Sequence, residues 1–205
     1  MHPNPAFRKP TTERNIAFAQ ERAFGMLAVN SDDGPLISHI PFRISSAGDH
    51  AELHLLRSNP IVGLLSQPVD AVIAVVGGDT YVSPDWYEID DQVPTWNYVA
   101  VHLRGKLSKM EQDELHGVLS RLSHSMETRL QDKKPWTSDK MDQTVYERMQ
   151  RQIVPIELDI ASIDGTWKLS QNKSDEVRLR AAKGARGAHM GSETEKISGL
   201  MADPD

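Results

Sequence analysis

Leu36-Ile37-Ser38-His39-Ile40-Pro41-Phe42-Arg43-Ile44, then Ala47-Gly48-Asp49, then Glu52-Leu53-His54-Leu55-Leu56: the reading of this stretch decides the fold. A run rich in β-branched and aromatic residues meets a Gly-Asp turn signal, and a second apolar run follows at once. Upstream, Phe24 to Val29 is another short apolar run, set off by the turn signal Asp32-Asp33-Gly34-Pro35. Short strands at close spacing with turns between them are the pattern of antiparallel sheets and barrels.

Outward from this core, Pro10-Thr11-Thr12-Glu13 supplies capping residues and an early acid, so a helix is expected over 12–22. Residues 1–10 carry three prolines and read as an extended lead-in. On the other side, Asn59-Pro60 suits a helix cap and first helical position, and predicts a short helix over 60–66. Ala71 to Val76 reads as a buried strand, Gly77-Gly78-Asp79 as a turn, and Thr80 to Ser83 as the next strand. Residues 84–95 hold two prolines and several acids and read as a loop. Trp96 to Ser108 is the longest strand expected.

The period then changes. Leu115, Val118, Leu119, Leu122, Met126 and Leu130 fall at helical spacing and predict an amphipathic helix over 110–130. A second helix is expected over Val145 to Ile153. Ile153 to Ile163 returns to alternation, and a turn at Asp164-Gly165 leads into Thr166-Trp167-Lys168-Leu169. The last 20 or so residues are small and polar and read as weakly ordered. Strands dominate both ends without a regular βαβ alternation, which argues against a Rossmann-type parallel sheet.

A chain of 205 residues suits one large domain and needs no disulfide or metal staple. It has no cysteine, which excludes thiol catalysis, disulfides, Fe–S clusters and thiolate zinc sites. The cytoplasm is the default compartment. A net charge of −6 argues against a globally basic nucleic-acid binder. Met1-His2-Pro3-Asn4-Pro5 has no basic region followed by an apolar run, so no signal peptide is read. No apolar stretch is long enough to cross a bilayer, and no membrane partner is expected.

Three stretches could carry chemistry. In Arg57-Ser58-Asn59-Pro60 a strand ends in a permanent cation where a helix begins, which supplies the parts of a phosphate cradle. A capped helix beside a surface arginine is the commoner meaning of such a stretch. Residues 81–98 hold five of the twelve aromatic side chains, together with Ser83, Thr95 and Asn97. A flat conjugated ligand needs such apolar faces with a few fixed donors, and a satellite core under a long loop needs the same aromatics. In Trp167-Lys168-Leu169-Ser170-Gln171-Asn172-Lys173, amides that both donate and accept suit the pyrimidine edge of a flavin, although a strand end with a polar exit loop is the commoner meaning of such residues. The histidines show no tight metal-site spacing: His116 and His124 stand about 80° apart around a helix. There is no GxGxxG after a strand, no GxxxxGK[ST] and no GxSxG. Lys168, Lys173, Arg178, Arg180, Lys183 and Arg186 make a basic segment that could meet phosphates or be a solvated terminal helix, and no helix-turn-helix is visible.

Leu36 to Phe42, Leu56 to Pro60, Tyr81-Val82-Ser83-Pro84-Asp85-Trp86-Tyr87, Val93-Pro94-Thr95-Trp96-Asn97-Tyr98-Val99-Ala100-Val101-His102 and Trp167-Lys168-Leu169-Ser170-Gln171-Asn172 resemble, in order, the motif series of the PaiB family. The resemblance covers roughly residues 1–175. It implies an α+β, mainly β fold: a split β-barrel related to pyridoxamine-phosphate oxidase, with flanking helices and a helical or flexible tail over 176–205. It implies a homodimer with FMN at the subunit interface, and a role as a negative transcriptional regulator, for which DNA is the partner. Carried over, Arg57, Ser58 and Asn59 match the phosphate-binding turn, and Ser38 and His39 the neighbouring strand. Tyr81, Ser83, Thr95, Trp96 and Asn97 would line the ring or its edge, and Trp167, Lys168, Ser170 and Gln171 would close the site. Two other functions stay open. One is an FMN-dependent oxidoreductase using NAD(P)H, since FMN carries its own redox chemistry although no catalytic acid or base stands out. The other is a haem-binding or haem-degrading split barrel.

Overall fold

The computed structural model describes residues 2–204. Six strands are formed: β1 Phe24–Ser31, β2 Gly34–Ile44, β3 His50–Leu56, β4 Val69–Val82, β5 Thr95–Lys109 and β6 Ile153–Lys168. The helices are α1 Thr12–Arg22, α2 Pro60–Leu64, α3 Leu115–Glu127, α4 Gln143–Gln150, α5 Asp175–Ala188 and α6 Thr194–Ala202. The strands close into a barrel in the order β1-β2-β3-β6-β5-β4. The β1–β2 hairpin pairs Ser31 with Gly34 and runs back to Phe24 opposite Pro41. Strand β3 pairs antiparallel with both β2 and β6. No described helix is long and apolar enough to cross a membrane.

Two compact units divide the chain. One comprises Ile16–Val75 and His102–Ile163, and all six strands pass through it. Its interior is the alternating set that period 2 dictates: Leu27 and Val29, Phe42 and Ile44, Leu53 and Leu55, Ile73 and Val75, Leu103, Ile156 and Leu158. Helix α3 lays Leu115, Val118 and Leu122 onto β2 and β3. The outward face of β1, β2 and β4 is apolar as well. Phe24 is 53% exposed and Ile37 58%, beside Met26, Ala28, Val72 and Ala74 in the paired register. A sheet with one solvated face normally turns polar side chains outward.

The other unit comprises the chain up to Asn15, Val76–Val101 and the chain from Asp164 on. It holds the far ends of β4, β5 and β6 and the helix pair α5–α6.

Two expected turns are instead continuous strand, and both glycines are there for close approach. Strand β4 runs straight through Gly77-Gly78-Asp79. A Cβ on Gly78 would stand 3.2 Å from the Glu193 carbonyl oxygen. Asp79 N–H donates to Ser192 O, and Ser192 N–H donates back to Asp79 O. Strand β6 likewise runs through Asp164-Gly165. A Cβ on Gly165 would meet Asn15 Oδ1 at 2.1 Å, the atom that accepts from Trp167 Nε1. Glycine in a strand often marks such an approach rather than a turn.

Other boundaries also differ. The helix expected over 110–130 is a short 3-10 turn at Gln112–Glu114 followed by α3. The second helix lies at Gln143–Gln150, because Ile153 already pairs with Leu56 as strand. The end of the chain, expected to be weakly ordered, is helical. Ala181, Ala182 and Ala185 of α5 are buried, as are Ile197 and Met201 of α6. Small side chains let the two helices approach closely, and buried Arg178 donates to the Met201 and Ala202 carbonyls at the end of α6.

Candidate functional site

Within the barrel unit, β3 delivers Arg57 to the start of α2. Asn59 caps that helix: its Oδ1 accepts from Ile61 N–H at 3.0 Å, and its Nδ2 donates to Ser38 Oγ at 2.8 Å. Ser38 and Asn59, expected on neighbouring elements of one site, are thus in direct contact. Arg57 takes another direction. Its Nε donates to Arg151 O at 3.2 Å, and its Nη2 to Gln112 Oε1 at 2.9 Å and Ile153 O at 3.2 Å. It lines a polar cleft of about 500 Å3 with Gln112, His116, Glu147 and Arg151. Ser58 and His39 are exposed.

In the other unit, β5 and β6 bring a second set together. Alternation along β5 puts Thr95 and Asn97 on one face and Trp96 on the other. Trp96 is 48% exposed and stands edge-on to Tyr81 at 6.1 Å, with Trp86 beyond at 6.4 Å from Tyr81. Ser83 caps the 3-10 turn that carries Trp86. On the opposite face, Thr95, Asn97, Lys168 and Ser170 line a cavity of about 340 Å3 with Tyr87, Asn172 and Lys173. Trp167 and Gln171 do not line it. Trp167 is buried against α1, with Arg14 over its ring at 4.3 Å. The Gln171 amide accepts from Leu169 N–H at 2.8 Å and donates to Trp167 O, closing a local turn.

The cavity is built around Ser170. This residue is 3% exposed and adopts φ +64°, a left-handed conformation that a side chain rarely takes. Its Oγ accepts from Asn97 Nδ2 at 2.9 Å and meets the Tyr87 hydroxyl at 3.0 Å. Asn97 is fully buried, and its Oδ1 has no partner. A buried carbonyl without a donor costs about 1–3 kcal/mol, so its persistence at a cavity wall points to a ligand N–H. Lys168 donates to Thr95 Oγ1, and burial lowers its pKa from the ordinary lysine value. Lys173 donates to Gln92 Oε1 and lies 5.4 Å from the centre of the Tyr87 ring.

The wall therefore offers one free acceptor with amine and hydroxyl donors beside it. That donor set fits the alternating carbonyl and N–H edge of a flavin pyrimidine ring. No histidine lines it, and Asp91 supplies its one lining carboxylate. Asn172 and Lys173, in the stretch read as suiting a flavin edge, belong to the cavity, and so does Tyr87, although nothing in the sequence links residue 87 to residue 170. In the basic segment, Arg178 is spent on the α6 carbonyls, and Arg180 donates to Tyr87 O and pairs with Glu88 and Glu176.

Residues 1–162 match the family described as "Putative FMN-binding domain". The chain is 30% identical over 174 residues to the Bacillus subtilis (strain 168) "Protease synthase and sporulation protein PAI 2", covering 83% of each. Among solved structures it resembles an FAD and heme binding protein of Mycobacterium smegmatis, with TM-score 0.58, 17% identity, and 79% of this chain and 73% of that one covered. It also resembles the flavocytochrome Anf3 of Azotobacter vinelandii, with TM-score 0.56, 12% identity, and 82% and 72% covered. At those identities the likeness is one of fold, that of a split barrel. The chain belongs to the PaiB family, the split-barrel family of the Bacillus sporulation protein.

Proposed function

We propose that this chain binds FMN and acts as a transcriptional regulator of the PaiB type, working as a cytoplasmic homodimer. The observation that carries the flavin reading is the buried, unpartnered Asn97 Oδ1 on a cavity wall that also presents Lys168, Thr95 and Ser170. In this reading Asn97 accepts from a ring N–H, and Lys168 and Thr95 donate to ring carbonyls. A bound flavin would supply reversible one- and two-electron chemistry of its own. What the chain adds is orientation of the ring edge and a low-dielectric wall beside it. The apolar outward face of β1, β2 and β4 supports the dimer: Phe24 and Ile37 in an uncovered patch are the composition of an interface. The regulator role rests on kinship with the Bacillus sporulation protein.

The test is a visible absorption spectrum of the purified protein before and after FMN, then after NADPH. Flavin bands that survive desalting are expected, and their absence together with no titratable affinity would overturn the flavin reading. Bleaching of the bound flavin by NADPH would replace the regulator with an oxidoreductase, and a Soret band would replace FMN with haem. A shift of DNA from the chain's own promoter region at low salt is expected of a regulator.

A further inference from the structure

Helix α3 has a second face whose occupant the fold leaves open. Between α3 and the segment leading to α4 lies a cleft of about 610 Å3, within the range of small-molecule sites. Leu119, Pro135, Trp136 and Tyr146 make its apolar walls, and none of its residues belongs to the Asn97 cavity. The walls are held in place. The Glu127 carboxylate, at the end of α3, accepts from Trp136 N–H at 2.7 Å and from the Lys133 ammonium. Tyr146 stands edge-on to His116 at 6.0 Å, its hydroxyl 3.3 Å from Nδ1. Helix α4 buries none of its residues, so the Tyr146 wall is not turned to a core.

The lining of the cleft carries one permanent charge, that of Arg121. Arg121 and His124 line it, and no carboxylate does. Arg121 donates through Nε to Glu52 at 2.9 and 3.0 Å, and Arg43 reaches the same carboxylate at 3.4 Å. Two guanidiniums share the Glu52 carboxylate, and Glu114 also acts on Arg121. The Arg121–Glu52 bonds occupy Nε and Nη2 and leave Nη1 outside the pair. Serine and threonine hydroxyls complete the rim. Aromatic walls with a cationic end are the recognition chemistry of an aromatic acid.

We infer that the α3–Trp136 cleft is a second binding site and that its ligand is an aromatic carboxylate. The inference is independent of flavin binding. The test uses the full chain labelled with 5-fluorotryptophan, whose four tryptophans give separate 19F signals, with Trp136→Phe assigning the relevant one. The probes are 1-naphthoate and its uncharged counterpart 1-naphthamide. The Trp136 signal is expected to shift saturably with naphthoate, and at least about tenfold more weakly with the amide, the worth of one charged hydrogen bond. Leu119→Glu, which brings a carboxylate into the wall, is expected to abolish the response. Should that variant disturb the other three signals, Pro135→Asp makes the same change from the loop. No Trp136 shift at millimolar naphthoate, an equal response to the amide, or a response that survives both carboxylate variants would overturn the inference.

Discussion

Asn97 Nδ2 donates to Ser170 Oγ at 2.9 Å, and Ser170 holds φ at +64° to receive it. One residue thus carries both the hub of the polar cavity and its backbone strain, a combination that marks functional positions. Two substitutions separate these contributions. Ser170→Ala removes the hydroxyl and keeps the strain, and is expected to cost about 1–3 kcal/mol. Ser170→Gly removes the same hydroxyl but relieves the left-handed penalty, so it is expected to be less destabilising than alanine by about 1 kcal/mol. Urea unfolding of the pair checks this; glycine at or below alanine would show that the φ is not strained.

Asn97→Leu keeps the volume and removes the buried acceptor. If the Oδ1 of Asn97 awaits a ring N–H, flavin affinity falls about tenfold or more in a fluorescence titration. Lys173→Gln, at the cavity edge, is expected to change it less. Equal losses would assign the effect to charge around the cavity rather than to the Asn97 carbonyl.

Much of the barrel was legible because period 2 and turn residues are local signals. Helix α1 over Thr12–Arg22 and the strands around Phe42 and Leu53 fall where patterning puts them. Gly78 and Gly165 misled for a physical reason: the residues needing the space, Glu193 and Asn15, are more than a hundred residues away in sequence. The site was half legible. Thr95, Asn97, Lys168 and Ser170 share a cavity, but alternation separates Trp96 from Asn97, and Gln171 bonds its own turn. Tyr87 went unchosen because its tie to Ser170 is tertiary.

Glu52 is 7% exposed, between Arg43 and Arg121. Burial works to raise its pKa, but the Arg121 hydrogen bond and the charges of both arginines outweigh it and hold the carboxyl below its ordinary value. A depressed carboxylate contributes stability above the unfolded-state pKa and loses it as pH falls through the folded one. Glu52→Gln is therefore expected to cost about 1–3 kcal/mol at neutral pH. The difference from the native chain should close under acid conditions, below the folded pKa. A gap that persists there in pH-dependent urea unfolding would assign the effect to packing.

Ile37 is 58% exposed on β2, opposite Ala28 of β1. If a second copy covers this face, Ile37→Glu places a carboxylate in an apolar interface and shifts sedimentation from dimer to monomer at micromolar concentration. Ile89→Glu, a change at an exposed loop residue, is the control and should leave the dimer intact. A native chain that sediments as a monomer would leave the apolar face without its proposed partner.

Lys168 is half-buried in the wall of the Asn97 cavity, and burial alone lowers its pKa. The sign follows from proton counting. Between the folded pKa and the unfolded value of about 10.4, the unfolded chain binds the extra proton, so stability rises with pH through that window. Below it both states are charged, and the folded state carries the full penalty of burying an ammonium. Lys168→Met removes that penalty and is expected to raise the melting temperature at neutral pH. The advantage should shrink as pH climbs through the folded pKa, where the native amine is already neutral. The same variant loses a donor to the proposed flavin edge, so higher stability should come with weaker FMN binding. A variant that is destabilised at every pH would show that the Lys168–Thr95 hydrogen bond, rather than desolvation, dominates at this position.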